Sequence, residues 1–360
     1  MQPNEGFGES VLRTFFKVFA GMMGLVFSGI VGIVILGGIA AVFTQEELDE
    51  TQAVEYRVIE GDEDADVLLV SIPIEGVILG EPSANDVLDY FSDLGVTYGY
   101  AIKQQLAELA DDDSVDGVIL EIHSPGGTIF GSKAITDGVE AYKAKTGKPV
   151  FAYIGSMAAS GGYWAAASAD EIIADHGVTL GSIGVITGPF KYYDSVLSED
   201  GGAFLGGVVT QKGISTRYIT AGTSKDIGNP YREMTEAEVA ILQQAVNNAY
   251  QKFVSYVSQQ RNITTEKITN ELGAMIFDEQ QSVQLDLIDR IGNKQNAYQA
   301  LADSISQNAT YQVKQVTVPL SFVETLLMSK QLFSQQPAVS VCPVTASILA
   351  YHGDITTLCR

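Results

Sequence analysis

Residues Pro149 to Ala167 read PVFAYIGSMAASGGYWAAA, and the way this stretch changes character decides the fold. Val150, Phe151, Tyr153 and Ile154 are β-branched or aromatic and suit a buried strand. Trp164 to Ala167 are helix formers. The break between them falls at Ser160, which stands between alanines and a glycine pair. Small neighbours leave its hydroxyl accessible, and a helix beginning just after it offers unpaired N–H groups to developing negative charge. A nucleophilic serine is presented in this way at a strand-to-helix turn. Ala-Ser-Gly-Gly also serves as a plain tight turn that packs a helix on a sheet, so the tetrapeptide does not decide between the two.

Working outward, Gly117 to Ile122 (GVILEI) reads as a second buried strand running into His123, Ser124, Pro125, Gly126, Gly127 and Thr128. Glycines just past a strand end let the backbone turn and aim N–H groups at a ligand, as half of an oxyanion hole requires. Between these strands Ile135, Val139 and Tyr142 keep helical spacing until Gly147 and Pro149 stop the helix. Val67 to Ile74 forms another strand, and Tyr100 to Ala110 a helix with Ile102, Leu106 and Leu109 on one face. Glu171 to Ala174 and Ile183 to Ile186 supply two short strands. This alternation predicts an α/β fold of β-α-β units, with a mainly parallel sheet and functional loops at the carboxyl ends of its strands. Further on, Thr235 and Glu238 make a capping box for a helix running to about Gln260, with Val239, Leu242, Val246, Ala249, Phe253 and Val257 in one apolar stripe for core or subunit contact.

A serine nucleophile needs a base. Lys225 lies among small residues in Gly222 to Gly228 (GTSKDIG), and a neutral lysine can take the proton. An ordinary lysine is protonated at pH 7, so one acting as a base must sit in a dry site when it acts. The hydroxyls of Thr223, Ser224 or Ser182 could orient the amine without adding charge. Histidine is the rival base: His123 would have to double back to reach Ser160, His176 has only Asp175 beside it, and His352 lies near the chain end.

HSPGGT, MAASGGYWAA, GSIGVI (Gly181 to Ile186) and TSKDIGNPYREMTEAE (Thr223 to Glu238) occur in the order and spacing of the signal peptide peptidase A family, which the chain resembles from roughly Val67 to Asn293. The resemblance implies a membrane-anchored serine peptidase with a Clp-protease and crotonase-like β-α-β superhelix. Ser160 would be the nucleophile and Lys225 the base, with Ser182 orienting the lysine. Backbone N–H groups at Gly127, Gly126 and Gly161 would hold the oxyanion. The family's short form is expected to assemble as a homo-oligomeric ring whose dyad is shared between protomers, cutting hydrophobic peptides such as released signal peptides. No metal or organic cofactor is implied. In LDLIDRIG (Leu285 to Gly292) Asp286 stands where the family usually has glycine, a departure that touches a turn and not the chemistry.

Composition sets the surroundings. The formal charge of −23 argues against nucleic acid or anionic lipid surfaces as partners, and 46% hydrophobic residues suffice for a large core. Val18 to Phe43 carries no charge over about 26 residues, against the ~20 that span a bilayer. Arg13 and Lys17 precede it, and acidic residues follow. The positive-inside bias therefore predicts residues 1–17 in the cytoplasm, 18–43 as a single-pass anchor in the cytoplasmic membrane, 44–66 as an acidic linker, 67–330 as the peptidase domain outside, and 331–360 as a tail. Cys342 and Cys359 can pair with each other or stay as separate thiols. A catalytically silent membrane-tethered scaffold and an acyl-CoA enzyme are the alternatives from other classes. The first is at odds with every chemical position being present together, and the second with an acidic chain.

Overall fold

The structure, a computed structural model, describes residues 55–81, 95–190, 192, 219–317 and 349–351. The anchor expected at 18–43, His352, Cys342 and Cys359 lie outside these. Among the described residues no helix is long and apolar enough to cross a membrane.

The fold is mixed α/β, as expected. Its sheet contains β1 (Glu55–Gly61), β2 (Val67–Leu79), β4 (Gly117–Thr128), β5 (Val150–Ala159), β6 (Glu171–Ala174), β9 (Arg290–Ile291) and β10 (Tyr311–Thr317), in the spatial order β1-β10-β2-β4-β5-β6-β9. From β10 to β9 every pairing is parallel. Side chains of a strand alternate between faces, and the core divides accordingly. Val70, Ile72, Ile74, Val118, Leu120 and Ile122 pack on one face with helices α1 (Gly99–Leu109), α2 (Ile129–Thr146), α3 (Gly161–Ala166) and α4 (Glu236–Arg261). Val67, Leu69, Ile119, Phe151, Tyr153 and Ile173 face the other way, against Ala297, Tyr298, Leu301 and Ala302 of α5 (Lys294–Ile305). On that second face Glu121 is nearly buried, which would push its carboxyl up. Hydrogen bonds from the Lys294 ammonium (2.6 Å), the Ser71 hydroxyl (2.6 Å) and the Tyr298 hydroxyl outweigh burial and bring it below the usual range.

The strands do not end where the sequence suggested. β2 and β4 shift register at Glu75/Val77, and β4 and β5 at Ile122/Ser124; past these bulges the chains bend into a second patch of sheet. There β2 pairs with β3 (Val96–Tyr98), β5 with β7 (Thr179–Gly181), β7 with β8 (Ile276–Asp278), and β4 with β11 (Leu349–Tyr351). Two expectations are corrected by this bend. HSPGGT is not a turn beyond a strand but the last half of β4, and the short strand placed at Ile183 to Ile186 falls instead at Thr179–Gly181. A Cβ on Gly127 would come within 2.0 Å of the Ile78 carbonyl oxygen, so glycine is there to let two backbones approach, not to reverse the chain.

Other boundaries also moved. β1 falls inside the stretch expected to be a linker, β11 inside the expected tail, and α5 and β10 lie beyond the part that carried the resemblance. The long helix obeys its capping box, but its apolar stripe is only half used: Phe253, Val254 and Val257 are buried, whereas Val239 is 50% exposed. Asp286 adopts φ 65°, the left-handed conformation that explains a glycine preference and that aspartate tolerates better than most residues.

Candidate active site

Ser160 caps the start of α3 directly after β5, with φ 52° and ψ −115°. A β-carbon makes that backbone costly, and the surroundings hold it in place. The Ser160 N–H donates to the Gly181 carbonyl (2.8 Å), and its hydroxyl donates to the Gly184 carbonyl (3.3 Å). Both acceptors belong to the GSIG turn, which also contains Ser182, itself at φ 52° with its N–H on the Met275 carbonyl at 2.7 Å. The turn thus wraps the serine, and Ser182 lies two residues from each carbonyl or nearer. Ser160 is 1% and Ser182 6% exposed.

Gly161 opens α3, and the first N–H groups of a helix have no acceptor within it. Gly162 lets that helix sit hard against β4, since a Cβ there would meet the Ser124 carbonyl oxygen at 2.7 Å. Ser124 also donates its hydroxyl to the Gly76 carbonyl (2.6 Å) while accepting from the Gly126 N–H (3.1 Å). Of the three N–H groups expected around an oxyanion, the one at Gly126 is therefore already engaged. β11 runs antiparallel along this same edge, with Ala350 opposite Gly127 and Tyr351 opposite Gly126.

Lys225 is built differently. Gly222 to Gly228 forms successive turns with positive φ at Gly222, Ser224 and Gly228. Lys225 is exposed in the single chain, so this fold alone does not supply the dry setting that a lysine base would need. Among the described residues no hydrogen bond or ion pair joins it to Ser160. Its neighbours, however, are tied down. Arg232 donates to both oxygens of Asp226 (3.0 and 2.8 Å) and both oxygens of Glu238 (2.9 and 2.8 Å). The guanidinium holds the Asp226 carboxyl down at about 2 and the Glu238 carboxyl well below the usual range. Nothing in residue spacing announces this cluster beyond the capping box.

The histidine options weaken. His123 Nδ1 shares a 2.6 Å hydrogen bond with Ser156, not Ser160, and His176 lies at the surface 4.0 Å from Glu279. Behind the serine, Trp164 of α3 stacks on Phe253 of α4, with ring centroids 4.3 Å apart and planes 5° from parallel. Glu238 precedes Phe253 on α4 by fifteen residues, about 22 Å at ~1.5 Å per residue.

Residues 142–308 match the model of peptidase family S49, a stretch that contains Ser160, Ser182 and Lys225 and begins after Gly126 and Gly127. A provisionally named protease of Methanocaldococcus jannaschii is 34% identical over 54% of this chain and 58% of its own. A protein of Enterococcus faecium provisionally named signal peptide peptidase SppA is 32% identical over 55% of this chain and 53% of its own. The matched region thus spans little more than half the length of these relatives. Among solved structures, a ClpP1 mutant from Listeria monocytogenes aligns with 63% of this chain and 93% of that one at 12% identity and a TM-score of 0.38. The resemblance to the signal peptide peptidase A family, read from four motifs, is borne out by the family match and by the named relative.

Proposed function

We propose that this chain, a relative of the S49 peptidases, is a membrane-anchored serine endopeptidase that cuts hydrophobic peptides, such as released signal peptides, at the outer face of the cytoplasmic membrane. One observation carries the reading: a serine held at φ 52° between a strand and a helix N-terminus, with backbone carbonyls on its N–H and hydroxyl. No packing role needs a β-carbon in that conformation, and a presented nucleophile does.

In this reading Ser160 attacks the peptide carbonyl, and Lys225 takes the serine proton and passes it to the leaving amine. Gly127 and Gly161 supply the oxyanion N–H groups, since Ser124 occupies Gly126. Ser182 orients the lysine. The architecture is that of a Clp-protease and crotonase-like superhelix, a reading supported by the parallel β-α-β core and the bent second patch of sheet.

The exposure of Lys225 and the ~22 Å of α4 between its clamp and the Trp164–Phe253 contact favour a ring in which Lys225 serves a neighbouring protomer's Ser160. The anchor at Val18 to Phe43 keeps that ring on the membrane. Full-length protein in detergent tests both levels. A fluorophosphonate probe should label the wild type and not Ser160→Ala, and mixing Ser160→Ala with Lys225→Met should restore part of the peptidase activity that each lacks alone. Equal labelling of Ser160→Ala contradicts the nucleophile. Subunit exchange without restored activity contradicts the sharing.

A further inference from the structure

We propose that Arg232 is a positioning residue for the lysine base, clamping the Lys225 loop to the first turn of α4; the inference rests on the dyad reading above. The loop has little else to define it. It makes no ladder with the sheet, three of its residues have positive φ, and Lys225 is exposed, with only its backbone N–H engaged among the described residues, on the Gly222 carbonyl at 3.4 Å. Yet the residue after Lys225 is fastened, through one arginine, to the buried Glu238 carboxylate. Asp226 is gripped at both oxygens by Arg232, whose guanidinium also takes both oxygens of Glu238. Asn229 adds to the grip through its N–H on the Asp226 carbonyl at 3.0 Å.

Glu238 is itself fixed. Its carboxylate accepts from the Thr235 N–H (2.8 Å) while its own N–H donates to the Thr235 hydroxyl (3.3 Å), which locks the cap of α4. Farther along, α4 enters the core at Phe253, Val254 and Val257 and stacks on Trp164, four residues after the nucleophile. A continuous set of contacts therefore runs from the serine's helix to the lysine's loop. Arg232 is the joint in it that only a planar, five-donor cation can make, because four charge-assisted bonds to two carboxylates leave no role for a point charge.

The charge balance points the same way. Asp226 adjoins Lys225, and a free carboxylate there would pair with the amine and hold it as the ammonium, which cannot act as a base. Arg232 occupies that carboxylate.

Arg232→Met in the full-length protein should lower kcat by about tenfold to a hundredfold with KM within about twofold, since substrate contacts are untouched and only the base is displaced. Arg232→Lys should recover little of the loss, because a point charge cannot grip both carboxylates at both oxygens. The effect should vanish in a Lys225→Met background, where no base remains to be positioned. Arg290→Met, which breaks an ion pair with Glu171 on the far side of the sheet, should leave turnover unchanged. Wild-type kcat in Arg232→Met while Lys225→Met is inactive removes this inference and leaves the dyad. An equal further loss on adding Arg232→Met to Lys225→Met also overturns it, because the arginine would then act on the fold. Wild-type turnover in Lys225→Met removes the dyad and the inference together.

Discussion

Ser160 and Lys225 stand in regions made on opposite plans. The serine is sealed at the junction of β5 and α3, braced by the Gly181 and Gly184 carbonyls and backed by Trp164. The lysine rides an exposed run of turns, and the structure fixes its neighbours instead of the lysine itself. The difference teaches a division of labour. A nucleophile must be presented at one angle and is built into the sheet. In the proposed ring a base that becomes dry only against another surface has to remain reachable, and the structure ties Asp226 beside Lys225 by charge.

If α4 links the two regions, removing its anchor should separate them. Phe253→Ala deletes the ring stacked on Trp164 in a buried site, and large aromatic truncations of this kind cost about 3 to 5 kcal/mol. Denaturant titration should show that loss. A change below about 1 kcal/mol would mean that α4 is not seated behind the serine as described.

A smaller effect sharpens the contrast from the serine's side. Glycine adopts φ 52° and ψ −115° without the clash a β-carbon brings, so Ser160→Gly should be more stable than Ser160→Ala by about 1 kcal/mol, strain relief being partly offset by the flexibility of glycine in the unfolded chain. Both variants lack the hydroxyl, so the comparison isolates the backbone. Equal stability would show that the strand-to-helix junction stores no strain.

Much of the serine's half was legible in the sequence because it depends on local rules. A β-branched and aromatic run, a small-residue break and a run of helix formers place Ser160 at a junction wherever the rest of the chain goes. The capping box at Thr235 and Glu238 was readable for the same reason. What stayed hidden depends on partners distant in sequence. HSPGGT looks like a turn because it is rich in glycine and proline, but it is held as strand by β2 on one side and β11 on the other. The edge strand β1, its neighbour β10 and helix α5 carry no catalytic motif to draw notice. Lys225 was read as the base, but its exposure could not be, because a lysine among small residues looks the same in sequence whether a protomer buries it or a neighbour does. The Arg232 clamp escaped because four hydrogen bonds from one guanidinium are a fact of geometry and leave no periodic trace.

Turnover of a hydrophobic peptide by Lys225→Met and Lys225→Arg, measured in the full-length protein beside His123→Ala, tests the pairing of these two regions most directly. Both lysine variants should lose at least about a thousandfold in kcat, because a methionine has no proton acceptor and a guanidinium stays protonated. His123→Ala should retain the wild-type rate. Near-normal turnover in Lys225→Met, or its loss in His123→Ala with Lys225→Met active, would show that the exposed loop does not carry the base.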